Sequence, residues 1–474
     1  MREIQTSTQS TMISRLFGLI FARLISPLVS FSIIVMVARI WGRETLGEYN
    51  TIWVWLTLFQ SFSVFGLGDY ISREVGANHD NAAKYQTHGL IIGLLFSLIC
   101  IGIMIGGTIL FNYPEDVKNG IMIASIILPF YACTMICQAI FTALQKIKYI
   151  GFACIVENAL FLFIGTAVII KGYGLVNLVL SLVLARVLGS GLNFLIAYKY
   201  IARLDFNIDW KYCWKFLTVV AVFGVTGVAS LIFLRIDVVM LSKMTDMVTV
   251  GLYSSASKLT EFCLILPLNF YALILPIAAR GYQSFRESVH QTIEAYTRQL
   301  FILVFLVFGF GFFFAEMILS LIYGKPFAEA GWILKILMVA FLITSADTVL
   351  SMSCLAAGYQ KVVMLIAITR AVVNVVLNFM LIPTWGAVGA ALATLFSISL
   401  SFAILQYFVT QTLGEFQWIP IVRKPAIVSV LLMVLLFPLI DHLNILILGS
   451  LFLLGYAFFI FALNGFSFEW VKSH

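Results

Sequence analysis

The sequence predicts an all-α polytopic membrane protein of about 14 transmembrane helices. Three observations predict it. Hydrophobic residues make up 62% of the 474 residues and charged residues only 11%, against about 25% charged in ordinary soluble domains. The apolar residues fall in runs of bilayer-crossing length, about 20 residues each, joined by short loops. An internal repeat, offset by 204 to 215 residues, relates the two halves of the chain. This composition excludes a soluble enzyme, a secreted disulfide scaffold and a nucleic-acid binder. The net charge of +7 fits a membrane protein that collects Lys and Arg in its cytoplasmic loops.

Taken in order, the first apolar run (14–38) follows a polar stretch, MREIQTSTQSTM. It exceeds the 7–15-residue apolar core of a cleaved signal and is expected to remain as span 1. Spans 2 to 7 are expected over 46–70, 87–112, 119–144, 149–170, 174–198 and 214–236. Spans 8 to 14 follow over 248–278, 296–322, 331–357, 361–382, 386–411, 424–441 and 444–464. The longest loops are expected at 199–213 and 279–297. All seven cysteines fall in or beside apolar runs, and Cys133 and Cys137, one turn apart, read as packing residues.

Basic residues set the orientation. With the N-terminus inside, 17 of the 29 Lys and Arg lie on the inner side, seven on the outer side and five within spans. This bias predicts cytoplasmic N- and C-termini and an even number of spans.

The repeat is clearest where VMVARIWGRETLGEYN (35–50) aligns without gaps to VMLSKMTDMVTVGLYS (239–254). Val35, Met36, Thr45, Gly47 and Tyr49 recur as Val239, Met240, Thr249, Gly251 and Tyr253, and Arg39 is matched by Lys243. Gln145-Lys146 is echoed by Gln360-Lys361, and GLVNLVLS (174–181) by GAVGAALA (386–393). Six spans separate the copies, so both have the same orientation. Parallel six-helix repeats predict two lobes about an axis along the membrane normal, with a substrate site between them. The expected division is an N-lobe over 1–200, a C-lobe over 201–412, and two extra helices with a tail over 413–474.

Four segments carry a family resemblance: ARIWGRETLGEYN (38–50), FGLGDYISREVG (65–76), LRIDVVMLSKMTDMVTVGLYSSASKLTE (234–261) and WGAVGAALATLFS (385–397). Their order and spacing resemble the polysaccharide-transporter, or O-antigen flippase, branch of the multidrug/oligosaccharidyl-lipid/polysaccharide flippase superfamily. The resemblance spans about residues 10–411. It implies a two-lobed fold like that of the multidrug extruders of the same superfamily. It also implies flipping of an undecaprenyl-diphosphate-linked oligosaccharide, as in O-antigen assembly, across a bacterial inner membrane. A polysaccharide polymerase and a chain-length regulator are then the expected neighbours, and a monomer the expected state.

Charges within the spans are the candidate functional residues, because each costs about 2.5–3.5 kcal/mol at a helix centre on insertion scales. Such residues pair or line a wet cavity. The bases are Arg23, Arg186, Arg235, Lys258 and Arg370, and the acids are Glu157, Glu261, Glu316 and Asp347, with Asp69 and Asp237 near span ends. Glu157 with Arg186, and Asp347 with Arg370, lie on consecutive spans and read either as clamps within a lobe or as ligand groups. Lys258 and Glu261 are three apart on one helix and can meet. Arg23 and Arg235 have no obvious acid nearby in sequence. The resemblance places spans 1, 7 and 8 at the central cavity, so Arg23, Arg235 and Lys258 are the leading substrate contacts, followed by Arg186 and Arg370. Arg suits phosphate because its planar fork stays charged.

Asp69, Asp237, Glu261, Asp347, Glu157 and Arg39 form the set for coupling or gating. For Arg39 and Asp237, interfacial anchoring and helix capping compete with that role. For Asp69 the competing role is a structural turn. Pro27, Pro129, Pro267 and Pro276 sit inside spans, where each frees a backbone carbonyl, and they read equally as hinges or as static kinks, with Pro27, Pro267 and Pro276 the leading hinge candidates.

The chain has no nucleotide-binding loop, no metalloprotease motif and no nucleophile elbow. It reads as a transporter and not an enzyme, with no cofactor. Its drive is expected to come from H+, Na+, the membrane potential or the substrate gradient. Two alternatives are a cation-coupled multidrug exporter and a peptidoglycan lipid-precursor flippase. The first calls for an acidic, aromatic cavity, whereas the candidate cavity charges here are mainly basic.

Overall fold

The computed structural model describes residues 2–200, 231, 233–284, 286–440 and 442–463, with the side chains of 1–24, 280–291 and a few neighbouring positions outside the description. Every described secondary-structure element is helical. The first seven helices are α1 (Arg2–Val64), α2 (Leu67–Ala77), α3 (Ala82–Leu110), α4 (Glu115–Ser125), α5 (Ile127–Ala143), α6 (Ile147–Ile170) and α7 (Leu175–Tyr200). A helix over 233–244 is α8. It is followed by α9 (Met247–Ser284), α10 (Arg286–Phe313), α11 (Ala315–Tyr323) and α12 (Gly331–Ala356). The last three are α13 (Gln360–Thr412), α14 (Trp418–Leu436) and α15 (Ile445–Ala462).

Ten stretches among the described residues are long and apolar enough to cross a membrane. Two of them, Ile25–Ala77 and Gln360–Thr412, run 53 residues. A straight helix of that length would reach about 80 Å, far beyond the roughly 30 Å hydrocarbon core. Each is instead two spans joined at a bend, at Gly42 (φ 89°, ψ −171°) and at Gly386 (φ 52°, ψ −128°). Both glycines follow a tryptophan, Trp41 and Trp385. The Gly42 conformation is essentially closed to other residues. Space is not the constraint, since a Cβ there would meet nothing within 4 Å. Gly42→Ala is therefore expected to lower stability by about 1–3 kcal/mol, measurable as a lower melting temperature of the purified protein. The fourteen expected spans are consistent with this set. Span 8 corresponds to α9, whereas most of span 7 lies outside the described residues.

One break matches a kink that the in-span prolines allow, and two features differ from the sequence reading. Span 4 is broken between α4 and α5, because Pro129 has no N–H to bond the Ser125 carbonyl one turn back. The chain tightens there, with the Ile126 N–H bonding the Ile123 carbonyl at 3.2 Å. Span 9 is interrupted at Phe314, where the rings of Phe310 and Phe314 pack against Phe452. The segment expected as a loop at 279–297 is helical through Ser284 and again from Arg286. Apolar patterning shows where a helix enters the bilayer, not where a polar helix continues past it.

The described chain forms two compact units, Met1–Gly251 and Leu252–His474. In the first, α1 packs on α3, α4 and α6, and α5 packs on α2, α3 and α7. Close approach rests on small residues, as expected where lipid supplies no hydrophobic driving force between helices. A Cβ on Gly107 would strike Trp55, one on Gly120 would strike Ile52, and one on Gly189 would strike Glu157. In the second unit, α12 packs along α13, and α10 packs on α12, α14 and α15. The two helices beyond the repeat are tied to α10 by side-chain bonds to its carbonyls. Ser429 donates to Phe305 at 3.0 Å, and Tyr456 donates to Ile302 at 2.7 Å.

Candidate functional site

The charges within the spans sort into pairs. In the first unit the Arg186 guanidinium on α7 donates to the Glu157 carboxylate on α6. Glu157 is buried, and Gly189, one turn from Arg186, leaves room for its side chain. Ser190 on the next position donates to the Phe130 carbonyl at 2.9 Å. In the second unit Arg370 on α13 donates to Asp347 on α12 at 3.3 Å, and Ser401, on the second arm of α13, donates to the same carboxylate at 2.7 Å. The Arg370 and Asp347 side chains are only 16% and 6% exposed. Both pairs that the sequence set on consecutive spans therefore meet, as the clamp alternative expects.

The two pairs are not images of each other. Glu157 lies on span 5 and Arg370 on span 11, the corresponding spans of the two repeats, and they carry opposite charge. Each is neutralised within its own unit, from span 6 in one case and span 10 in the other.

Lys258 and Glu261 meet on one face of α9 at 3.0 Å. Arg235 and Asp237 lie on α8, the first partly exposed and the second buried. Arg39 is exposed near the bend of α1, and Asp69 is exposed in the first turn of α2, where a carboxylate faces favourable helix-end charge. That position fits the structural alternative for Asp69. Glu316 lies in the first turn of α11 and pairs with Lys335 at 2.9 Å, with its own side chain 56% exposed. Arg23 falls on α1, with its side chain outside the described residues. Pro27 is exposed on α1, Pro267 is buried on α9, and Pro276 is on α9 with its side chain outside the described residues.

Sequence reading missed the neutral polar residues beside these charges. Asn374 and Asn378 are fully buried on α13, and the Asn378 amide donates to the Asn374 oxygen at 3.1 Å. With Arg370 they recur every four residues, and that spacing was the available signal. A second polar group joins α1, the loop before α4, and α8. The Trp55 indole N–H donates to the Tyr113 hydroxyl at 3.0 Å. That hydroxyl lies 3.0 Å from the Ser242 hydroxyl, which donates to the Val239 carbonyl at 2.8 Å. The Lys243 ammonium donates to the Phe111 carbonyl and sits 3.2 Å from the centre of the Tyr113 ring. Burial lowers the pKa of Lys243 and raises that of Tyr113.

A polytopic helical fold with long apolar spans, two of them bent pairs, and buried, paired charges defines a multi-pass membrane protein. More particularly, residues 14–280 match the polysaccharide biosynthesis protein family, and the chain belongs to that family. A Shigella flexneri protein named for O-antigen transport is 20% identical over 84% of this chain and 97% of its own length. The Staphylococcus aureus capsular polysaccharide biosynthesis protein CapF is 23% identical over 82% of this chain and 96% of its own. Among solved structures, the lipid II flippase MurJ in an inward closed conformation superposes with a TM-score of 0.76 at 17% identity, covering 93% of this chain and 97% of that one. An inward-facing multidrug resistance transporter of the MATE family, from the MOP superfamily, gives 0.67 at 14% identity, covering 81% and 94%. At these identities the two structures establish a shared fold.

Proposed function

We propose that this protein is a flippase for a lipid-linked oligosaccharide, moving its head group from the cytoplasmic to the outer face of a bacterial inner membrane. Membership of the polysaccharide biosynthesis family, with relatives aligned along nearly their whole length, carries the reading. The proposed substrate is an undecaprenyl-diphosphate-linked repeat unit of the O-antigen type. A diphosphate sugar cannot cross hydrocarbon unaided. A cationic path through the protein solves this, while the lipid tail stays in the bilayer.

The proposed head-group contacts are Arg23, Arg235 and Lys258, on the spans that the family resemblance places at the central cavity, whereas Arg186 and Arg370 are proposed as clamps on Glu157 and Asp347. The membrane potential offers part of the drive. One charge moved across 100 mV is worth about 2.3 kcal/mol, and an anion leaving a negative interior gains it. A positively charged empty path gains on return, and H+ or Na+ coupling through Glu261 or Asp237 is compatible with the same scheme. The proposed topology has both termini in the cytoplasm, following the basic-residue bias, and the proposed neighbours are a polymerase and a chain-length regulator.

The fold likeness extends to multidrug transporters, but both relatives are named for polysaccharides. Deletion of the gene is expected to remove surface polysaccharide without changing drug resistance, and reintroduction to restore it. Intact polysaccharide with new drug sensitivity would overturn the proposal.

A further inference from the structure

Inside the first compact unit, the first arm of α1 and α6 lie side by side in one register. A Cβ on Gly165 of α6 would press on Ile33 of α1 at 3.3 Å. Seven residues earlier on both helices, Asn158 meets Ser26. Seven residues are about two turns, so both contacts fall on one seam. The Asn158 amide spends both of its N–H groups there. It donates to the Ser26 hydroxyl at 2.8 Å and to the Cys154 carbonyl, one turn back on α6, at 2.8 Å. The Cys154 sulfur completes the cluster, 3.4 Å from the Ser26 oxygen. The Asn158 side-chain oxygen takes no bond from the described residues, and it is not enclosed.

Asn158 lies off the lipid-facing stripe of α6. The most exposed large apolar residues of that helix are Phe163, Ile170 and Phe152, at 78%, 68% and 56%. With 3.6 residues per turn, Asn158 is roughly 120–140° round the helix from all three. A polar atom open to the surface at mid-span, away from that stripe, calls for a polar guest. Arg23 stands three residues before Ser26 on α1, about 4.5 Å along the axis. The shared register puts it level with Ile155, and the one acid near that level on α6, Glu157, is engaged by Arg186.

The two neighbours select different chemistry. A guanidinium only donates, and it suits phosphate. The Asn158 oxygen only accepts. A diphosphate esterified at both ends offers acceptors and no donor, so it cannot satisfy that oxygen. The hydroxyl or acetamido N–H of a sugar can, and the Ser26 hydroxyl beside it can donate or accept. We infer that Asn158 and Ser26 form a sugar subsite next to Arg23, contacting the sugar attached directly to the diphosphate. The assignment rests on the flippase reading, with Arg23 as its phosphate contact. The bonds from the Asn158 amide to Ser26 and Cys154 fix the direction in which its oxygen is presented.

The test measures binding to the purified full-length protein with two probes. One is the lipid-linked oligosaccharide extracted from cells depleted of the protein, and the other is undecaprenyl diphosphate without sugar. Asn158→Ala is expected to weaken binding of the oligosaccharide lipid about tenfold. It is expected to leave undecaprenyl diphosphate binding unchanged, which also reports that the variant is folded. Ser26→Ala, which leaves α6 intact, is expected to act in the same direction by a smaller factor. Arg23→Ala, by contrast, is expected to weaken both probes. Equal loss of both probes in Asn158→Ala and Ser26→Ala, or loss of neither, would overturn the subsite. If the unaltered protein binds neither lipid, the flippase reading itself falls, and the subsite with it.

Discussion

Asp347→Ala is expected to destabilise the second compact unit by about 3–5 kcal/mol, the range for removing one partner of a buried ion pair. Arg370 would keep its charge with almost no access to water, since its side chain is 16% exposed. Ser401 would lose its acceptor at 2.7 Å in the same step. Replacing both charged residues with hydrocarbon, as in Asp347→Leu with Arg370→Leu, removes the uncompensated charge and is expected to recover most of the loss. Thermal unfolding of the purified variants reads the first effect, and surface polysaccharide reads the second. A clamp predicts that the double variant recovers both stability and display. Recovered stability without display would return Arg370 to the substrate path. Glu157→Ala and its double variant with Arg186 should behave in the same way in the first unit.

Arg23→Ala is expected to abolish surface polysaccharide while leaving a folded, membrane-inserted protein. No acid lies anywhere in span 1, and Pro27 follows Arg23 by about one turn. A mid-span base kept at a cost of about 2.5–3.5 kcal/mol needs an anion, and a diphosphate supplies one on each cycle. Arg23→Lys should retain part of the activity, because the charge remains while the planar fork is lost. Immunoblots of surface polysaccharide, beside size-exclusion profiles of the protein, distinguish loss of function from loss of fold. Wild-type display by Arg23→Ala would remove Arg23 from the site.

Much of this was legible in the sequence. Spans follow from apolar run length, and the places of Glu157 with Arg186 and of Asp347 with Arg370 on consecutive spans made pairing one of two open readings, which the structure's contacts match. Other features were not legible, for physical reasons. The break at Ile126 had a signal in Pro129, whereas that at Phe314 falls in a run of phenylalanines (312–314) with no proline beside it. The Tyr113–Ser242 contact joins residues 129 apart through a turn that periodicity does not describe. The close backbone approach of Gly47 to Gly251 had a visible signal, since the two glycines recur in the repeat, but nothing in one dimension says that repeat equivalents touch. Rotation of spans that are hydrophobic all round is likewise invisible to a moment-based reading.

The most direct test of the central claim is the sidedness of the lipid-linked intermediate after acute depletion of the protein. The account predicts that undecaprenyl-linked oligosaccharide accumulates on the cytoplasmic face, shielded from an impermeant glycan-modifying probe, while surface polysaccharide falls. Mass analysis of the same lipid would name the sugar. Unchanged sidedness with undiminished surface polysaccharide, in cells with no second transporter of this family, would contradict it.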